Sequence, residues 1–464
     1  MFSPSTYKKR RDELRKMMPD GILFFPGNNE ASFNYPSNTY SYRQDSTFIY
    51  YFGLQEPGLA AVMDIDDGSE CLFGDDCTMQ DIIWIGQQPS MTDKAATIMV
   101  NQTQPCAALS AVLQKAQQQG RTVHFLPPYR AETKIHLWEL LGIPPAQQKE
   151  NASVPLIKAV VKMRMVKEPQ EIEQIEAAIA TTCQMHTYVM KHARADMVEM
   201  ELAGAIEGIA LANGGHVSFP VILSVNGQIL HNHYHGHTMR DGQLLLTDAG
   251  AEITMGYAGD ITRTIPVSGH FDARQKAIYQ TVLKANLKGI EMSRPGVYYR
   301  DVHLAAAQVI ADGLKDVGVM RGNMEDAVAQ GAHTLFFPHG LGHAMGLDVH
   351  DMEGFGEDYV GYDDTISRST EFGLRSVRFG RRLEPDFVLT VEPGIYFIPA
   401  LIDQWEAEKR FAEFIDYEAL KSYRDFGGIR IEDDILITDN GCRVLGTPVP
   451  KTVEEIERTC FSVK

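Results

Sequence analysis

The sequence predicts an α/β domain followed by a larger α+β domain in which helices pack on an antiparallel sheet. The chain has 464 residues, more than one domain usually contains. Its first third alternates helical and strand-like patterns, whereas the remainder combines long helical segments with strand-like runs. We therefore expect an N-terminal domain at residues 1–157 and a C-terminal domain at residues 158–464.

The N-terminal domain opens with a polar helical segment. Its charge pattern favours a solvated amphipathic helix over a contact with an anionic surface. Strands are predicted at GILFFPG, DSTFIYYFG and LAAVMDI, and a helix is predicted at CAALSAVLQKAQQQ, ending at Gly120. The basic residues of the first segment are Lys8, Lys9, Arg10, Arg11, Arg15 and Lys16.

The second domain begins after the connection NASVPLIKAVVKMRMVKEPQEI with a helix that starts near Pro169. Two further helices are predicted, from Asp272 to about Arg294 and from Asp301 to Gly318, each with an aspartate at the N-cap. Strand-like runs between and after them complete the α+β pattern. The first helix has apolar or small residues at helical spacing: Ile172, Ile175, Ala178, Ile179 and Met185.

Composition excludes several classes of function. The formal net charge of -18 repels a phosphate backbone and disfavours nucleic-acid binding. No run approaches the length of a membrane span, and the start of the chain lacks the apolar region of a secretory signal, so we expect a cytoplasmic protein with no membrane partner. The six cysteines are scattered without C-x-x-C spacing, which favours reduced thiols.

Candidate metal ligands occur in order along the second domain. Four carboxylates and one imidazole suit Mn²⁺, Co²⁺, Fe²⁺ or Zn²⁺ better than they suit a structural zinc site, which prefers thiolates. Since four carboxylates carry more negative charge than one ion requires, we predict two ions that share bridging carboxylates. The five residues are Asp248, Asp260, His343, Glu392 and Glu432.

The run GDITRTIP places Asp260, Thr262 and Thr264 on one face of a strand, where the hydroxyls are expected to orient the carboxylate. On its own, this run is equally consistent with acidic residues flanking a hairpin turn. Glu392 ends an apolar run, where an unpaired buried carboxylate would be costly and a metal compensates. In GGIRIEDDILIT, Arg430 and Glu432 share a face, so a salt-bridged strand is the alternative there.

The histidines near the candidate ligands have no helical zinc-site pattern. His339 and His343 are four positions apart, but Gly340 and Gly342 disfavour a helix, so the H-E-x-x-H type of zinc site does not apply. His339 is expected only beside the site. The stretch HNHYHGH, which contains His231, has the alternative interpretation of a separate histidine-rich metal tract.

Four runs resemble the metal-binding segments of the pita-bread metallopeptidases, the family of methionine aminopeptidase, aminopeptidase P and prolidase. They are LLLTDAGAEITMGYAGDITRTIPVSG, FFPHGLGHAMGLDVHD, VLTVEPGIYF and GGIRIEDDILIT. The segment YRQDSTFIYYFGLQEPG is similar to the aminopeptidase P and prolidase branch. The resemblance implies a curved antiparallel sheet covered by helices, and two divalent ions, with Mn²⁺ expected first. One departure is that Asp248 and Asp260 are twelve positions apart, one more than is usual, which we expect to enlarge the turn around residues 253–256.

The resemblance also implies an activity, hydrolysis of the bond preceding proline in small peptides with proline at the second position. His231 and His350 would contact the scissile carbonyl and stabilise the tetrahedral intermediate, Glu392 would move the proton, and Arg430 would contact substrate. The segment FGLRSVRFGRRLEP resembles the prolidase form of a loop in which an arginine, here Arg378, binds the substrate carboxylate.

We therefore expect a proline-specific dipeptidase of the prolidase type. The alternatives are an aminopeptidase P acting on longer peptides, an exposed basic loop with no substrate role around Arg378, and an inactive binding module on the same fold. Such a module should have lost ligands, whereas all five are present. By the same resemblance, we expect a homodimer or a larger homo-oligomer.

Overall fold

The computed structural model describes residues 1–461. The chain forms two compact units, Met1–Arg164 with Glu353–Tyr359, and Met165–Met352 with Val360–Lys464. The division falls after Arg164, later than the boundary expected after residue 157, because one helix continues through the predicted boundary. Among residues 1–461, no helix is both long and apolar enough to cross a membrane.

The first unit contains a mixed five-stranded sheet with the strand order β6-β5-β4-β1-β7. In this sheet β1 pairs antiparallel with β4 and parallel with β7. The strands of the unit are β1 (Ile22–Pro26), β2 (Ser32–Tyr35), β3 (Asn38–Thr39), β4 (Ala60–Asp64), β5 (Glu70–Phe73), β6 (Gln102–Gln104) and β7 (Val123–His124). The predicted strands GILFFPG and LAAVMDI are confirmed as β1 and β4.

Helices accompany this sheet and make the unit α/β, as predicted. They are α1 (Pro4–Met17), α2 (Ser46–Phe52), α3 (Met79–Ile85), α4 (Met91–Ala96), α5 (Leu109–Gln118), α6 (Ala131–Leu141), α7 (Gln148–Asn151) and α8 (Val154–Met165). The opening helix is confirmed as α1, and the helix predicted before Gly120 is confirmed as α5.

The segment DSTFIYYFG is a helix, so its prediction as a strand was wrong. Its β-branched and aromatic residues favour a strand. However, all residues of α2 are buried, so burial on every side removes the alternation that would distinguish the two structures. Capping interactions stabilise the helix at both ends. The Asp45 carboxylate accepts a hydrogen bond from Phe48 N at 2.9 Å, and Gly53 ends the helix at φ 67°.

The basic residues of α1 are only partly solvated, contrary to the prediction. Arg10 and Arg11 are buried at 2% and 0% exposure. Arg11 donates to Glu70 Oε2 at 2.8 Å, to Tyr51 O at 2.9 Å and to Ile98 O at 2.8 Å. These arginines therefore fix α1 to its own unit by satisfying buried carbonyl groups.

The second unit contains long helices and antiparallel strands, which confirms the α+β prediction. The helices are α9 (Pro169–His192), α10 (Glu199–Ala212), α11 (Ala273–Met292), α12 (Tyr299–Asp316), α13 (Met324–Ala329), α14 (Glu357–Val360, mostly in the first unit), α15 (Pro399–Ala407), α16 (Tyr417–Leu420) and α17 (Val453–Phe461). The strands are β8 (His216–Val217), β9 (Ile222–Val225), β10 (Leu244–Ala249), β11 (Ala251–Glu252), β12 (Ile261–Pro266), β13 (Val388–Val391), β14 (Gly394–Tyr396), β15 (Gly428–Arg430), β16 (Asp433–Thr438) and β17 (Gly441–Val444).

The long helices largely match their predictions. Asp272 caps α11 by accepting from Gln275 N at 2.7 Å, as expected. In contrast, α12 starts two residues before Asp301, with Tyr298 at its N-cap, so Asp301 lies in the first turn. Helix α10 was not predicted.

Candidate metal centre

A cavity of about 430 Å³ lies in the second unit. All nine site residues predicted from the sequence line it, although they are spread over some two hundred positions. They are His231, Asp248, Asp260, His343, His350, Arg378, Glu392, Arg430 and Glu432.

The first two carboxylates come from one hairpin. Strands β10 and β12 are antiparallel, with Asp248 opposite Thr262, so Asp248 and Asp260, which precedes β12, both reach the cavity. The connection turns at Gly256, whose N–H donates to Ile253 O at 2.7 Å and whose φ is 84°. This turn falls within residues 253–256; that the long spacing enlarges it stays a prediction.

Glu392 and Glu432 lie at a shared interruption between two antiparallel strand pairs. Val391 ends β13 opposite Asp433 in β16, and Gly394 starts β14 opposite Arg430 in β15. Glu392 and Glu432 fall between these pairs, outside the regular strands. The interruption therefore frees two carboxylates, far apart in sequence, at the same point.

His343 faces the carboxylates. Its Nε2 lies 3.5 Å from Asp260 Oδ2 and 3.7 Å from Glu392 Oε1. Its Nδ1 lies 3.1 Å from the carbonyl oxygen of Ala344, a geometry that assigns the proton to Nδ1 and leaves the Nε2 lone pair directed at the cavity. Asp260, His343 and Glu432 are all buried, and each has a ligand atom within 4.8 Å of those of the other two.

The electrostatics of this cluster suit a cation. Burial and the neighbouring carboxylates raise the pKa values of Asp260 and Glu432 well above their ordinary range. Burial also raises the pKa of Glu392 to about 7 and lowers that of His343 well below its usual value, so the imidazole stays neutral. Within residues 1–461, the buried Oδ1 atoms of Asp248 and Asp260 have no hydrogen-bond partner. Carboxylate oxygens without donors, beside a neutral imidazole nitrogen, fit divalent metal ions.

The threonines of β12 do not orient Asp260: one donates to another carboxylate and the other to a backbone carbonyl group. Thr262 Oγ1 donates to Glu432 Oε2 at 2.7 Å, and Thr264 Oγ1 donates to the carbonyl oxygen of Arg430 at 3.0 Å. The prediction that both hydroxyls orient Asp260 was therefore wrong. Asp260 is held through its backbone, because its N–H donates to Asp434 Oδ2 at 3.0 Å. Asp434 was not predicted.

Arg430 is 3% exposed and is engaged within the protein. Its Nη2 donates to Asp248 Oδ2 at 2.7 Å, and its Nη1 donates to the Tyr396 hydroxyl at 2.6 Å. That hydroxyl lies 2.9 Å from His339 Nε2, and His339 also lines the cavity. Tyr396 was not predicted, and its place in the segment GIYF, four residues after Glu392, was the available signal.

Two more imidazoles lie on the cavity wall. Arg378 Nη1 lies 2.7 Å from His350 Nδ1; because a guanidinium can only donate, the geometry places the proton of the neutral imidazole on Nε2. The His350 ring packs edge to face against His343, with centroids 4.3 Å apart. His231 is exposed at the cavity wall, and partial burial followed by the charge of Arg430 lowers its pKa.

Among the described residues, the tract HNHYHGH does not form a separate group of side chains close enough to hold an ion. His235 Nδ1 lies 3.1 Å from Leu223 O, and His237 Nδ1 lies 3.0 Å from the buried carboxylate of Glu199. Across the described part of the chain, the one group of three or more His, Cys, Asp or Glu side chains close enough to hold an ion is Asp260, His343 and Glu432.

Comparisons with known proteins agree with this geometry. The model of metallopeptidase family M24 matches residues 173–439, and that of the aminopeptidase P N-terminal domain matches residues 7–124. The human Xaa-Pro dipeptidase is 33% identical, with 96% of this chain and 90% of that protein covered. The Xaa-Pro aminopeptidase of Escherichia coli strain K12 is 32% identical, with 98% and 97% covered. The solved structure of zinc-substituted E. coli aminopeptidase P in complex with product has a TM-score of 0.81 at 30% identity, covering 100% of this chain and 99% of that one.

Proposed function

Because the chain belongs to metallopeptidase family M24, in the branch of aminopeptidase P and prolidase, we propose that it is an Xaa-Pro dipeptidase that uses two divalent metal ions. Proline-specific peptidase activity and the pita-bread fold come with membership of this branch. The observation that carries the proposal is the convergence of four carboxylates and one imidazole on one cavity that is also lined by two arginines.

We propose that two ions would be held by Asp248, Asp260, His343, Glu392 and Glu432. Mn²⁺ is the expected metal, and Co²⁺, Fe²⁺ or Zn²⁺ would suit the same donors. Ions bound by these residues would supply a water molecule of lowered pKa and an electrophile for the carbonyl group. Arg430 supports this arrangement by fixing Asp248. Because it also lines the cavity, it is proposed to contact substrate as well.

The remaining chemistry belongs to side chains on the cavity wall. His350 presents an Nε2–H, which can donate to the oxygen of the scissile carbonyl as negative charge develops there. His231 is proposed to donate to the same oxygen. Glu392 is proposed to accept a proton from the attacking water and to pass it to the proline nitrogen.

Arg378 is proposed to select dipeptides. The bond preceding proline has no N–H, so a site that acts on the carbonyl alone suits this substrate. An arginine at the cavity wall provides a fork that matches a free carboxylate on the proline. Aminopeptidase P activity is the second candidate, favoured by the 98% coverage of this chain by the E. coli enzyme.

The test compares hydrolysis of Ala-Pro with that of Ala-Pro-Ala after chelation and addition of Mn²⁺. A dipeptidase should cleave Ala-Pro far more efficiently and lose activity with the metal. Preference for Ala-Pro-Ala would make the protein an aminopeptidase P. A protein that binds metal but cleaves neither peptide would be the inactive binding module.

We also propose a homodimer or a larger homo-oligomer. Helix α3 has no buried residue, and its large apolar side chains are exposed: Met79 at 71%, Ile83 at 68%, Trp84 at 76% and Ile85 at 65%. Such a patch is typical of a protein interface. Light scattering should give a mass well above 51.8 kDa, and a fully active species at that monomer mass would exclude this assembly.

We propose a cytoplasmic location, which agrees with six cysteines that form no disulfide.

A further inference from the structure

A buried ion pair lies behind the loop that carries His343 and His350. Lys167 Nζ is 3.1 Å from Asp351 Oδ2, and both side chains are 1% exposed. Removing two charges from water is costly, and a buried pair stabilises a fold little compared with well-packed apolar residues. Stabilisation of the fold therefore does not account for this buried ion pair.

Asp351 closes the loop on itself. It directly follows His350, and its N–H donates to Ala344 O at 2.9 Å, next to His343. Its Oδ1 lies 3.4 Å from Asp348 N, while its Oδ2 pairs with Lys167. One aspartate thus ties the His350 end of the loop to the His343 end.

Lys167 is equally fixed. Its own N–H donates to Asp386 O at 2.9 Å, just before β13, the strand that leads to Glu392. Gly346 packs directly on the pair, because a Cβ on it would lie 2.7 Å from Asp351 Oδ2 and 2.9 Å from Lys167 Cε. The Gly346 carbonyl accepts from Ala258 N at 2.9 Å, in the hairpin that carries Asp260.

The pair also lies beside the points where the chain passes from one unit to the other. Lys167 is three residues after Arg164, the last residue of the first segment, and Asp351 is two residues before Glu353. Met352, which lies between Asp351 and Glu353, has a φ of 63°, an unusual conformation for a residue other than glycine. Because Asp351 is fixed, the backbone position of His350 is fixed as well, next to the unusual conformation at Met352.

We propose that Lys167 and Asp351 are positioning residues for catalysis, holding the loop so that the His350 Nε2–H points at the reacting carbonyl. This inference rests on the proposed function, in which His350 acts on the substrate. Small displacements of a catalytic group cost large factors in rate, and a shift of about 1 Å is enough for a loss of about 100-fold.

The experiment compares Lys167→Met, Asp351→Asn and the double variant with the wild-type enzyme loaded with Mn²⁺. Each single variant leaves one buried charge uncompensated and should be less stable, whereas the double variant has no unpaired charge and should recover thermal stability. Arg240→Met is the matched control, since its pair with Asp196 is exposed, at 63% and 82%. The measurements are kcat and KM on Ala-Pro, bound metal and Tm.

We expect the double variant to keep its metal, its KM and its Tm but to lose about ten- to a hundred-fold in kcat. Gly346→Ala should give the same kcat loss, because its Cβ displaces the pair without altering a charge. Arg240→Met should be indistinguishable from wild type. Recovery of kcat together with Tm in the double variant would show a purely structural pair and overturn the inference. A wild-type enzyme that cleaves no Xaa-Pro peptide would instead refute the proposed function, which distinguishes the two failures.

Discussion

Replacing Arg378 by alanine removes two interactions that different substrates report separately. The guanidinium donates to His350 Nδ1 at 2.7 Å. Under the proposed function, it also donates to the free carboxylate of a bound dipeptide. Loss of the first affects every substrate, because His350 loses the partner that keeps its proton on Nε2. Loss of the second affects dipeptides alone, because the proline carbonyl of a longer peptide is already amidated.

The two effects differ in size and in the kinetic constant they change. A hydrogen bond to a charged group contributes about 1.5–3 kcal/mol, so KM for Xaa-Pro dipeptides should rise about ten- to a hundred-fold. The His350 ring remains present but populates both tautomers. Its effect on kcat should therefore stay below the loss of about 100-fold expected when an oxyanion donor is removed entirely. This decrease in kcat should be equal for dipeptides and tripeptides.

Steady-state kinetics on Ala-Pro and Ala-Pro-Ala separate these terms. Arg375→Ala is the control, because Arg375 is exposed and lies on the same segment. Arg378→Lys keeps the charge without the fork and should recover only part of the dipeptide affinity. A dipeptide KM that ignores Arg378, or rises equally for both peptides, would refute carboxylate recognition by this arginine.

The other expected outcomes concern the metal, the transition state and acid stability. Asp260→Ala should remove most of the metal and nearly all turnover without unfolding, and a variant retaining two equivalents of metal with normal activity would contradict its role. His350→Ala should keep its metal and lose about 100-fold or more in kcat; loss of metal would make it a ligand instead. Burial lowers the pKa of His303 to about 3 and that of His333 to about 4. The unfolded chain binds protons at these positions below about pH 6.5 and the folded protein does not, so their contribution is fully present above that pH and is lost as the pH falls toward the folded values. His303→Leu should make the acid loss of unfolding free energy shallower by up to about 1.4 kcal/mol per pH unit, and identical slopes in denaturant titrations would refute this.

The five proposed ligands could be selected from the sequence because each lies in a short run that resembles a metal-binding segment of the family, and in some runs the local pattern adds to this. Glu392 ends an apolar strand, and Asp260 precedes one, so neighbours in sequence show that the side chain is placed at a strand end. The hydrogen-bond partners of these proposed ligands could not be found in this way. Thr262 donates to Glu432, 170 positions away, and Asp434 accepts from Asp260, 174 positions away. Pairing across such distances depends on how the strand pairs meet in space.

Helix α2 shows why the type of a secondary-structure element could not always be predicted from the sequence. Periodicity distinguishes helix from strand only where one side of the element faces water. Because all of α2 is buried, the sole local signals were the caps, Asp45 and Gly53, each of which is also typical of a turn beside a strand. The burial of Arg10 and Arg11 in α1 could not be predicted for a similar reason. A basic helix is ordinarily exposed, and the carbonyl groups that bind these arginines are brought to them only by the fold.

The N-terminal unit is built from two separate segments of the chain, and this determines when it can be completed during synthesis. This unit includes Glu353–Tyr359, and Phe355 lines a small cavity together with Phe24, Phe25 and Tyr129. A ribosome that has released residue 164 must add nearly two hundred more before this segment emerges, roughly 10–40 s at about 5–20 residues per second. The nascent N-terminal unit therefore waits with part of its apolar surface uncovered while most of the peptidase unit is being made. A gene fragment that ends at residue 164 encodes an incomplete unit, and separate expression of this unit requires the later segment to be supplied.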